Sequence, residues 1–190
     1  MRVVLVAEAW SLMFAAALWT TRRRACRTSA GTSAADLAPK AKVDGKAALE
    51  RLKGLAGEWR GHVTTPDGPE ASVVYGVTAG GSTVTERLFP GTGHEMFTLY
   101  HLDGGELVLT HYCAMGNQPR MRLVQVAGTD PVELKFDFAG GANVDPAKDA
   151  HMHAGRMVLR GPDRLEAEWA VYDKGKQAGA NKFFLERVKK

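Results

Sequence analysis

Cysteine is nearly absent from this chain. Cys26 and Cys113 are the only two in 190 residues, which excludes a disulfide framework. Cys113 closes a strand-like run, where it reads as a small half-buried hydrophobe or, alternatively, as a ligand or reactive thiol. Long apolar runs are missing too. Val3–Trp19 is broken by Glu8 and Ser11, and falls short of the about 20 apolar residues that a spanning helix needs. No stable membrane span is expected. That run resembles the core of an export signal, although Arg22-Arg23-Arg24 follow it, where such signals avoid positive charge. Residues 1–40 are read as a leader, signal-like or disordered, and 41–190 as the folded domain. Export would place the protein in the periplasm or outside the cell; the alternative is cytoplasmic.

A basic surface is also missing from the domain. Of 25 Lys and Arg, six lie in residues 1–40, with two of the 21 Asp and Glu, so the remainder carries 19 of each sign. The net charge of +4 therefore belongs to the leader. A nucleic-acid binder needs a basic stripe on the domain itself, so no nucleic-acid partner is expected. There is no P-loop, GxGxxG, nucleophile elbow or internal repeat.

What remains is a regular alternation of strands and turns. Lys46–Leu55, with Leu49, Leu52 and Leu55 spaced by three, predicts one short helix. Ten strand-like runs follow, at Trp59–Thr64, Ala71–Thr78, Thr83–Phe89, Glu95–Leu102, Glu106–Met115, Met121–Val126, Val132–Phe138, His151–Arg160, Arg164–Tyr172 and Lys182–Val188. Gly, Asp and Pro turns separate them about every ten residues, which argues an antiparallel meander. Closure into a barrel would remove its exposed edges. The expected fold is therefore all-β: an up-and-down barrel of about ten strands with a short N-terminal helix. Ala139–Ala150 is the one long irregular stretch, a length that often serves as a lid.

The segment Leu55-Ala56-Gly57-Glu58-Trp59-Arg60-Gly61, with Arg187 in the last strand, is similar to the Gly-x-Trp and C-terminal Arg pairing of lipocalin-like (calycin) barrels. It also resembles the opening of nitrobindin-type and DUF1579-type bacterial barrels. The YHLDGG, LTHYC, GNQPRM and HMH segments resemble a group of uncharacterised bacterial proteins of this kind, over about residues 47–188. The resemblance implies an Arg packed on the Trp face where the barrel closes. Nitrobindin-like proteins hold haem through a His near the C-terminus. Lys182–Val188 contains none, so this chain departs from that pattern, and its cofactor stays unknown.

Polar, ligand-capable side chains inside two strand runs mark the candidate site. They are His101, His111, Tyr112, Asn117 and Gln118, joined by His151 and His153 further on. His151 and His153, two apart on a strand, leave the same face and could chelate a metal with His101 or His111 as third ligand. Hydrogen-bonded histidines at a barrel mouth are the plainer reading. A two-residue turn at Gly104-Gly105 would send His101 and His111 to opposite faces, and a three-residue turn to one face. Asn117 or Gln118 could orient a carbonyl, with Arg120 as counter-charge. At least three of the four histidines are expected on one cavity, with Asn117 near its rim. The function expected is binding of a small, partly apolar ligand in a barrel cavity with a His-rich polar end. The alternative is a metal-assisted or acid–base enzyme using the same histidines.

Overall fold

A computed structural model describes residues 43–189. The leader expected over 1–40 lies outside the described residues. Helix α1 spans Gly45–Lys53. Asp44 starts it: its Oδ1 accepts from the Ala47 N–H at 2.9 Å, satisfying a donor the helix would leave orphaned. Arg51 and Lys53 in the last turn suit the negative end of the helix dipole. Ala48, Leu49 and Leu52 are buried, so the three-residue spacing marks the face that packs on the barrel.

Ten strands follow: β1 Gly57–Val63, β2 Glu70–Thr78, β3 Thr83–Leu88, β4 Met96–Asp103, β5 Glu106–Tyr112, β6 Gln118–Ala127, β7 Val132–Ala142, β8 His151–Arg160, β9 Arg164–Asp173 and β10 Lys176–Arg187. Each pairs antiparallel with its sequence neighbour, and β1 pairs with β10, which closes the barrel. The expected count, order and closure are all present. Most boundaries move by a residue or two, and four move further. β5 stops at Tyr112, β6 begins at Gln118, β7 continues to Ala142, and β10 begins at Lys176; the Gly- and Ala-containing extensions of β7 and β10 are held by neighbouring strands rather than by their own propensity.

Alternation fills the interior. Trp59, Tyr100, Met121, Phe136 and Trp169 are buried and belong to one continuous core. Trp169 lies flat on Gly155, its cross-strand partner; a Cβ there would sit 2.1 Å from the indole ring. The helix closes the end that carries the β4–β5 turn: a Cβ on Gly45 would lie 2.5 Å from the Gly105 carbonyl oxygen. At this end Arg187 stands over Trp59, its guanidinium carbon 4.4 Å from the ring centroid. Arg187 also donates to the carbonyls of Gly54 and Ala56 at 2.8 Å and of Pro162 at 2.9 Å. The Trp59 indole N–H donates to Leu55 O at 2.8 Å. Helix, first strand and last strand are thus tied at one point. No helix among the described residues is long and apolar enough to cross a membrane.

Candidate functional site

Four adjacent strands carry one polar row into the apolar interior. Tyr75 on β2 faces Glu86 on β3, Glu86 faces Thr98 on β4, and Thr98 faces His111 on β5. All four are buried. Tyr75 Oη donates to Glu86 Oε1 at 2.8 Å, and Tyr100 Oη, one pleat further along β4, donates to Oε2 at 2.9 Å. Burial raises the Glu86 carboxyl above its ordinary range, against the pull of the Tyr75, Tyr100 and Thr98 hydroxyls. Burial, with the Glu86 charge second, pushes both phenols well above theirs.

The row ends on an imidazole. Thr98 Oγ1 is 3.0 Å from His111 Nδ1. Burial lowers the His111 pKa to about 4, so the ring is neutral at pH 7. Nε2 has no hydrogen-bond partner among the described residues, and the ring lines a cavity of about 70 Å³. That cavity lies at the end of the barrel opposite the helix. Leu88, Trp169, Val171 and Phe183 form its apolar wall, and Met96, Cys113, Met115 and Met152 its sulfur-bearing one. Glu86 and Thr98 reach it as well. The barrel thus has a shape compatible with housing a small ligand.

The other sequence-selected residues are not gathered here, which corrects the expectation of three histidines on one cavity. The β4–β5 turn holds two residues, Gly104 at φ 57° and Gly105 at φ 88°, between the paired Asp103 and Glu106. His101 therefore faces outward, beside Lys46, Lys53 and Ser82 near the helix. His151 and His153 do not line the cavity. An irregularity in β8–β9 pairing between Met152 and Ala154 resets the alternation. Met152 consequently faces inward opposite Val171, while His151 falls opposite Tyr172.

The two histidines make a site of their own. His151 Nδ1 is 2.7 Å from the Asp149 carbonyl oxygen; a carbonyl only accepts, so this nitrogen carries the proton. His151 Nε2 is then the acceptor for His153 Nδ1–H at 2.9 Å. His153 is stacked between Phe138, at 4.9 Å, and Tyr172, at 4.0 Å between centroids. Burial lowers its pKa, helped by His151 and opposed by Asp137. Among the described residues, no three His, Cys, Asp or Glu side chains come together to hold a metal. His101, His111 and the His151–His153 pair thus stand at three separate places.

Tyr112 lies outside, exposed beside its cross-strand neighbour Phe97. Asn117 is buried in the β5–β6 turn, where its Nδ2 donates to Ala150 O at 2.8 Å while its Oδ1 has no partner. Gln118 Oε1 accepts from Asn143 Nδ2 at 2.8 Å. Both side chains pin the β7–β8 loop to the turn that carries Cys113 and Met115. Arg120 on β6 reaches past β5 to pair with Asp103 at the end of β4. Sequence reasoning missed Glu86, Thr98, Tyr75, Tyr100 and Met152. The signal for Glu86 was present: it shares strand parity with Val84 and Leu88, and a carboxylate on an apolar face is rarely incidental.

Comparison with protein-family models and with curated proteins finds no match to this chain. The likeness to calycin, lipocalin-like folds rests on the closed ten-strand antiparallel barrel itself.

Proposed function

We propose that this barrel binds a small, partly apolar molecule at its open end, with the molecule's one polar group on His111 Nε2. The observation that carries this is the inner row Tyr75–Glu86–Thr98–His111, ending at a cavity whose wall, apart from Asn181, is otherwise apolar and sulfur-bearing. His111 Nε2 opens on that cavity without a hydrogen-bond partner among the described residues, so a ligand that reaches it gains a hydrogen bond within a largely apolar wall. Size follows from the volume: about 70 Å³ is room for a few non-hydrogen atoms, since a water claims about 30 Å³. Flexible thioethers at the mouth can admit somewhat more. The polar end has one histidine, backed by Glu86 and Thr98 and joined on the wall by Asn181, in place of the His-rich end expected.

Propan-1-ol, with 1-chloropropane as a hydroxyl-free counterpart, tests the reading by methyl NMR of the methionines. The alcohol is expected to shift the Met96, Met115 and Met152 methyls saturably and more tightly than the chloride does. The buried Met121 and Met157 methyls should stay in place. His111→Leu should reduce the alcohol to the chloride's affinity. No saturable shift from either probe would reject the site.

A further inference from the structure

We propose that the open end of the barrel is also a site for a soft monovalent metal ion, of which Cu(I) is the biological example, held by His111 Nε2, Cys113 Sγ and thioethers of Met96, Met115 and Met152. Five potential N or S donors from three separate places in the chain converge on one opening. His111 and Cys113 come from β5 and its extension, Met115 from the turn that follows, Met96 from β4 and Met152 from β8. His111 and Cys113 are two residues apart in extended chain, so their side chains leave the same face. Met152 reaches the opening only because the pairing irregularity in β8 turns it inward. Three of the five methionines among the described residues stand here, and so does Cys113, the one cysteine among them.

The chemistry of the set selects the metal. Thiolate and thioether donors are soft and favour Cu(I), whereas Mg and Ca ask for carboxylates and carbonyls. Only two of the five, His111 and Cys113, are donors of the kinds zinc uses. The shell behind the imidazole matches what a metal-bound histidine needs. Thr98 Oγ1 stands 3.0 Å from Nδ1, and its hydroxyl is also a hydrogen-bond partner of Glu86; with that hydroxyl donated to the carboxylate, Oγ1 accepts Nδ1–H and Nε2 is left free for the ion. On binding, the Cys113 thiol releases its proton and coordinates as thiolate; copper stays at +1 and no electron moves. The ion and the small apolar molecule proposed above would take His111 in turn. The metal site does not depend on that molecule.

The full chain carrying Cys26→Ser, to silence the other thiol, is titrated anaerobically with Cu(I) against bicinchoninate. One equivalent should bind in competition with the chelator. It should shift the Met96, Met115 and Met152 methyls while Met121 and Met157 stay put, a readout that needs no substitution within the site. Zn(II) should bind more weakly. Cys113→Ser and His111→Gln should each weaken Cu(I), and Thr98→Val should do so by roughly 10–100-fold, the usual cost of losing a partner behind a metal-bound histidine. Failure to compete with the chelator, binding that leaves those three methyls unmoved, or Zn(II) as strong as Cu(I) would each overturn the proposal. Propan-1-ol shifting the methyls where Cu(I) does not would overturn the metal site and leave the ligand reading standing.

Discussion

Two buried groups in the inner row respond to pH with opposite sign. His111 has a folded-state pKa of about 4 against an ordinary value of 6.5. The unfolded chain takes up that proton first, so the stability present above pH 6.5 is lost as pH falls towards 4. Over the whole window the loss is about 3 kcal/mol, at 1.36 kcal/mol per unit. Glu86 is raised above its ordinary 4.5. The folded state keeps that proton where the unfolded chain has released it, so its contribution is present at low pH. It is lost as pH rises from 4.5 through the folded value. Urea unfolding between pH 4 and 7 separates them. His111→Gln should flatten the acid-side loss, and Glu86→Gln should leave a steeper rise of stability with pH. If His111→Gln retains the full acid loss, the imidazole is not the group responsible.

Between elements, the point where β1, β10 and the residues after α1 meet is a single side chain. Arg187 covers the Trp59 ring and gives hydrogen bonds to four backbone carbonyls from two separate segments. Arg187→Ala should cost about 1–2 kcal/mol in urea unfolding through lost packing and cation–π contact, and Arg187→Lys should recover only part, because an ammonium lacks the planar fork. An alanine variant as stable as the parent would show that closure does not depend on this residue. That pairing was legible in the sequence, as were the strands, because their turns are spelled out in Gly, Asp and Pro. The two features that place the site were not. Gly104-Gly105 serves a two-residue turn as well as a three-residue one. His151-Met152-His153 reads the same whether the pairing irregularity is present or absent, and one shifted residue decides whether imidazoles or a thioether enter the cavity.

At the scale of the molecule, the barrel closes on itself with no strand edge left to another segment, which removes the usual route to strand-by-strand association. Its core runs from Ala48 to Leu185, and its first cap is Asp44. Among the described residues that core is one continuous cluster. Residues 41–190 are therefore expected to fold without 1–40. The measurement is cooperative urea unfolding of 41–190 beside the full chain, with unfolding free energies agreeing to within the usual extrapolation error of about 10–15%. A truncated chain that aggregates or lacks a cooperative transition, while the full chain folds, would mean that residues 1–40 supply part of the structure. If both unfold alike, the barrel with its helix-closed end and its sulfur-lined open end folds as a unit without residues 1–40.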